Sequence, residues 1–193
     1  MSFVKRLLTS KKPDQTVFSF SDLSSAVAGY SGAKLKSALK YAVGKNDLIR
    51  ISRGIYCFSN DYSRQEFANK YRTPSYISLY TILQGSGVVF QPYSSIYLVA
   101  NRSQETEIDG QKYIYRKIID EILLNPLGLN SVGNVYKAGP ERAICDKLYL
   151  DGPEHFDNLR NINWDFMRRL NREVYHDNRA ISDFLTKYRY ENS

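Results

Sequence analysis

Histidine and cysteine are almost absent from this chain, with two of each among 193 residues. Cys57 and Cys145 lie far apart and form no Cys-x-x-Cys pair, and with His155 and His176 they match no zinc-ligand spacing. A metal site is therefore not expected, and free thiols in a reducing cytoplasm are the default for the cysteines. Nothing around Cys145 lowers a thiol pKa, since it has no neighbouring His, lysine cluster or Gly-rich turn; helical periodicity makes it partly buried instead. Long apolar runs are missing too: none approaches the ~20 residues of a bilayer span. Residues 1–8 carry too short an apolar stretch, with charges in the wrong place, for a secretory signal. The patterns G-x-x-x-x-G-K-[ST], G-x-G-x-x-G and G-x-S-x-G do not occur. No catalytic residue, no cofactor and no membrane association is expected.

Acidic residues are scarce at one end only. Residues 1–58 hold ten Lys and Arg against Asp14, Asp22 and Asp47, which accounts for the whole net charge of +7; the remaining residues hold 17 basic and 17 acidic side chains. A basic head on a neutral body points to a polyanionic partner for the head. Hydrophobic content of 42% is enough for a buried core, and 16 tyrosines against 9 phenylalanines suit half-buried strands.

The head reads as helix, turn, helix, hairpin. Residues 2–10 put Phe3, Val4, Leu7 and Leu8 on one side of a short helix, which Pro13 ends. A second helix starts at Ser19 or Ser21, either of which is a suitable N-cap, runs through Leu23, Ala26 and Val27 and stops at Gly29. A third opens at Ser31-Gly32 and continues to about Lys45, with Leu35, Ala38, Leu39 and Ala42 as its buried stripe. Leu48-Ile49-Arg50-Ile51 and Ile55-Tyr56-Cys57-Phe58 flank Ser52-Arg53-Gly54 as a β-hairpin. This order predicts a winged helix-turn-helix over residues 1–60. A connector or connecting helix over 61–73 and a mixed α/β domain over 74–193 follow, so the fold class is α+β.

In the second domain, Pro74-Ser75-Tyr76-Ile77-Ser78-Leu79 reads as a helix start, and residues 95–100 and 111–117 as paired strands joined by a charged loop ending in Asp109-Gly110. Residues 118–124 read as a further strand. Gly139-Pro140-Glu141-Arg142 begins a helix with Ile144, Leu148 and Tyr149 inward, and helices over 165–173 and 178–188 complete the chain.

The chemistry concentrates on the third helix of the head. Its outward face carries Lys34, Lys36, Ser37, Lys40 and Tyr41. In a helix-turn-helix the second helix enters the major groove and its N-terminal half meets base edges. Ser31, Lys34 and Ser37 are thus the candidates for base contact, Lys36, Lys40 and Lys45 for phosphate contact, and Arg53, supported by Arg50, for a minor groove or backbone clamp. The bland alternative is a solvated lysine-rich helix; the Arg-Gly hairpin tip and the confinement of charge to the head weigh against it. Arg142 and Asp146, at i, i+4 on one helix, read as a structural pair, with a partner- or phosphate-facing site as the alternative. Arg168, Arg169 and Arg172 are diluted by Asp165 and Glu173 and fit an ordinary amphipathic helix. Tyr93, Tyr97, Tyr113 and Tyr115 fit sheet packing more readily than RNA stacking.

Leu35-x-x-Ala38-Leu39 followed by Leu48-Ile49-Arg50-Ile51-x-Arg53-Gly54-Ile55-Tyr56 resembles the N-terminal winged helix of the AbiEi family, bacterial antitoxins of abortive-infection toxin–antitoxin systems. Tyr76-Ile77-Ser78-Leu79 and Pro140-Glu141-Arg142-Ala143-x-x-Asp146-x-Leu148-Tyr149 are similar to two further segments of that family, in the same order. The resemblance implies autorepression through operator DNA, usually an inverted repeat bound by two copies of the head, and antagonism of a nucleotidyltransferase-like toxin. The alternative is a plain transcriptional regulator whose body binds a ligand or mediates oligomerisation. A third class, a nucleic-acid-cleaving enzyme, would have to use Glu105, Glu107 and Asp109, the one dense acidic cluster, which falls on the charged loop.

Overall fold

Ser19 ends a short strand and begins a helix. Its hydroxyl accepts a hydrogen bond from the Asp22 N–H at 3.1 Å while the Asp22 carboxylate accepts from the Ser19 N–H at 2.8 Å, a capping box that satisfies two otherwise orphaned donors. The computed structural model that places these atoms describes Ser10, residues 15–27, Tyr30 and residues 32–191, with side chains through residue 188. The helix expected over 2–10 falls, apart from Ser10, outside the described residues, as does Ser31. The chain divides into two compact units, Met1–Tyr71 and Arg72–Ser193.

The first unit runs β1 (Val17–Ser19), α1 (Phe20–Ala26), α2 (Gly32–Gly44), β2 (Ile49–Ser52), β3 (Ile55–Cys57) and α3 (Arg64–Tyr71). Its antiparallel sheet has the order β1-β3-β2. Sequence analysis anticipates the β2–β3 hairpin but not β1. Arg53 and Gly54 form the two-residue turn between the paired Ser52 and Ile55, and Gly54 sits at φ +78°, where a side chain would strain the backbone. On α2, Leu35, Leu39 and Ala42 are buried and Ala38 is half-buried, so one stripe faces Leu23, Val27 and Leu48. Burying each leucine contributes about 1.5–3 kcal/mol. The stretch after the hairpin is helical at α3. Buried Glu66 accepts from the Thr16 N–H at 2.9 Å and hydroxyl at 2.8 Å, and Lys70 donates to Asp22 at 2.7 Å, so α3 is fastened to β1 and α1. Burial pushes the Asp22 carboxyl up, but hydrogen bonds from Lys70 and Ser19 outweigh it and hold the group below its ordinary value.

The second unit is built on a mixed six-stranded sheet of order β6-β7-β5-β4-β9-β8, comprising β4 (Ser75–Ile77), β5 (Ile96–Ala100), β6 (Gln104–Ile108), β7 (Gln111–Lys117), β8 (Leu129–Val132) and β9 (Val135–Ala138). Three expectations are corrected here. Ser75-Tyr76-Ile77 is a central strand, buried on both faces between β5 and β9, and the helix starts only at α4 (Tyr80–Gly85). The charged loop before Asp109 is the edge strand β6, hairpinned onto β7, while β5 and β7 pair in parallel. Residues 118–124 hold α5 (Asp120–Leu124), with Asp120 and Glu121 in the first turn, where they complement the helix dipole.

Helices α6 (Pro140–Asp151), α7 (Trp164–Glu173) and α8 (Arg179–Glu191) pack with Tyr76 and Val99 of the sheet into one core. At its centre Arg142 and Asp146 are fully buried. Arg142 donates to the Leu127 and Ile122 carbonyls, each at 2.7 Å, and its Nε stands 3.7 Å from Asp146. Asp146 accepts hydroxyl hydrogen bonds from Ser78 at 2.7 Å, Tyr175 at 2.7 Å and Tyr76 at 2.9 Å. The pair is thus a buried clamp joining β4, α5, α6 and the end of α7. Burial raises the Asp146 carboxyl despite these partners. Gly128, at φ +78°, passes close beneath Arg142: a Cβ there would lie 3.1 Å from the Arg142 Cβ.

Candidate nucleic-acid interface

The exposed side of α2 follows from its buried one. A helix turns 100° per residue, so seating Leu35, Leu39 and Ala42 directs Ala33, Ser37, Lys40 and Gly44 outward. Lys36 lies on one rim of that face, toward the hairpin, and Lys34 and Tyr41 lie on the other. The middle of the face is built from small residues, which lets a bulky partner approach the helix backbone closely.

Lys36 and Lys40 line a groove of about 420 Å³ together with Arg50 and Arg53 of the hairpin. Phe20, Leu39, Val43, Gly54 and Tyr56 complete its walls. The Arg50 Nε donates to the Ser52 carbonyl at 3.3 Å, which holds this side chain against its own strand. None of these four cations is paired with a carboxylate among the described residues. Of the head's acids, Asp22 is engaged by Lys70 and Ser19 instead. Four like charges gathered around one groove without a counter-ion repel each other, and a polyanion relieves that repulsion.

The other candidates separate into two places. Lys34 and Ser37 line a shallow concavity with Tyr30 and Ala33 along the first half of α2. Tyr41 is 68% exposed, with the Lys45 ammonium 5.9 Å from its ring centre. The structure therefore brings Lys36, Lys40, Arg50 and Arg53 together, sets Lys34 and Ser37 beside them, and leaves Tyr41 and Lys45 toward the C-terminal end of the helix. Sequence reasoning missed Tyr30, Phe20 and Tyr56. Phe20 and Tyr56 enter the groove through the packing of β1 and α1 on the hairpin, which no local pattern signals.

The remaining candidates have structural partners. Glu105 pairs with Lys112 at 2.8 Å on β6–β7, and no group of His, Cys, Asp and Glu suited to holding a metal occurs among the described residues. Arg168, Arg169 and Arg172 pair with Asp165 and Glu173 along α7. Tyr113 and Tyr115 are buried, while Tyr80, Tyr93 and Tyr97 pack on one another with Tyr80 and Tyr93 stacked at 4.1 Å. Both cysteines are buried, and burial together with the neighbouring Asp146 charge raises Cys145 well above its ordinary pKa. No helix among the described residues is long and apolar enough to cross a membrane. A comparison of the sequence with protein-family models and with curated proteins finds no match.

Proposed function

We propose that the first unit is a winged-helix DNA reader and that the chain is a bacterial antitoxin and autorepressor, with α2 as the recognition helix and the β2–β3 hairpin as the wing. The observation that carries the DNA part is the groove in which Lys36, Lys40, Arg50 and Arg53 converge without a carboxylate partner among the described residues. The sheet order β1-β3-β2, with the hairpin beside a helix whose outer face is small and basic, supports it. The division of labour follows from position. The four groove cations meet phosphates and set register, whereas Lys34 and Ser37 on the N-terminal half of α2 read base edges. Antagonism of a nucleotidyltransferase-like toxin by the second unit rests on the AbiEi-like segments around Tyr76 and Arg142.

A mobility-shift titration with the DNA upstream of the coding sequence, against a scrambled duplex, tests the first half. Specific retention is expected, and equal affinity for both duplexes removes the specific-repressor assignment. Co-expression with the product of the adjacent gene tests the second half. Rescue of growth supports the antitoxin assignment, and an adjacent gene that is harmless when expressed alone favours a plain regulator.

A further inference from the structure

A second cationic and aromatic cavity lies in the second unit, where the loop between α6 and α7 meets α8. It measures about 490 Å³, the size of a small-molecule site, and is lined among others by His155, Asp157, Arg160, Trp164, Lys187 and Tyr188. The Trp164 and Tyr188 rings stack at 5.8 Å with 17° between their planes and form an aromatic wall. The Lys187 ammonium stands 5.4 Å from the Tyr188 ring centre, and Arg160 is exposed. Neither cation is ion-paired among the described residues, in contrast to the arginines of α7.

The loop that carries these groups is held in place. The N–H groups of Asp157 and Asn158 donate to the Val88 carbonyl at 3.0 and 3.1 Å, and Phe156 is buried edge-on against Phe184 at 5.5 Å. The Asp157 Oδ2 accepts from the Phe90 N–H at 2.8 Å, which fixes the orientation of the carboxylate. Three kinds of group thus share one pre-organised cavity: unpaired cations, a flat aromatic wall and a fixed carboxylate.

We infer that this cavity binds a nucleoside polyphosphate. Arg160 and Lys187 would take the phosphates, where Arg offers a planar fork of donors and Lys a point charge. The aromatic wall would take the base, whose face stacks on such rings. Asp157 would accept from ribose hydroxyls, the contact that carboxylates make in dinucleotide sites. A free inorganic phosphate would leave the aromatic wall and the carboxylate idle. A continuous strand would run its phosphates past Asp157 and the exposed Asp165.

Trp164 is the only tryptophan of the chain, so its emission, excited where adenine does not absorb, reports on this cavity alone. The experiment titrates the full chain with ATP, adenosine, tripolyphosphate and a short oligothymidylate, with calorimetry beside the emission reading. A saturable response to ATP is expected, with adenosine and tripolyphosphate each binding more weakly. Arg160→Ala with Lys187→Ala, both exposed positions, should weaken ATP by at least about tenfold per cation while leaving the circular dichroism unchanged. Absence of saturation by both readings at millimolar ATP overturns the inference, as does unchanged ATP affinity in the double variant. Tripolyphosphate binding as tightly as ATP, or the oligonucleotide binding more than tenfold tighter, also overturns it.

Discussion

Removing the four groove cations together, as Lys36→Ala, Lys40→Ala, Arg50→Ala and Arg53→Ala, should change how binding of duplex DNA depends on salt. Each phosphate neutralised by a lysine or arginine contributes about 0.9 to the slope of log affinity against log salt. Four such contacts give a slope contribution of about 3.6. A rise from about 50 to about 200 mM salt then costs those contacts roughly 150-fold in affinity, and the quadruple variant should be spared that loss. Fluorescence anisotropy of a labelled duplex, titrated at a series of salt concentrations, measures the slope directly. The four side chains are not in the core, so the variant should keep its circular dichroism and melting temperature. A folded quadruple variant with the wild-type slope would refute the assignment of the groove to the DNA backbone. A single Lys36→Ala change should lower the slope by about 0.9, which guards against an effect peculiar to the multiple variant.

Ser37→Ala and Lys34→Ala should leave the salt slope nearly unchanged and instead reorder preference among duplexes, by about 1–3 kcal/mol at the affected base pair, as read by competition titrations. Asp22→Ala should destabilise the first unit by about 1 kcal/mol through the lost cap, with a further loss from Lys70, measured by urea unfolding. Because the folded-state pKa of Asp22 lies below its ordinary 3.8, its contribution is present above that pH and is lost as the pH falls below it, so the Ala variant should show a flatter acid limb. Asp146→Ala should cost about 3–5 kcal/mol, since it strands a fully buried arginine, whereas Arg142→Met combined with Asp146→Leu should cost less than the two single changes added. Gly128→Ala should destabilise the second unit by about 1–3 kcal/mol, because the position needs a positive φ and the new methyl meets Arg142 and Leu170; an unchanged thermal midpoint would contradict the close approach.

Local patterns carried the parts of the fold that local patterns build. The buried stripe of α2, the Arg53-Gly54 turn, the Ser19 cap and the Pro140 helix start each have a cause within a few residues, and each is found. The errors arose where tertiary context decides. Strand β4 is buried on both faces and so shows no alternation, and Pro74 ahead of it imitated a helix start. Strand β6 alternates Glu and Thr with its polar side in solvent, which gives it the composition of a loop. The β8–β9 hairpin has a local signal as well, Gly133-Asn134 between Val132 and Val135. The exposed face of α2 could be read from its period, but the grouping of Lys36 and Lys40 with Arg50 and Arg53, rather than with Lys45, depends on where the hairpin folds back. The cavity around Trp164 could not be read at all, because Arg160 and Lys187 are far apart in sequence and only the return of α8 brings them together.

The two margins of the six-stranded sheet carry different consequences for how molecules meet. On the β6 margin Glu105 and Glu107 are exposed, Glu105 paired with Lys112, so that a second β6 margin laid there brings carboxylates of the two strands together. The β8 margin, Leu129-Asn130-Ser131-Val132, carries no charge at all. Joining two β6 margins is therefore opposed by like charge, whereas the β8 margin meets no such repulsion. A union of β8 against β8 brings no like charges together and closes on itself at two molecules.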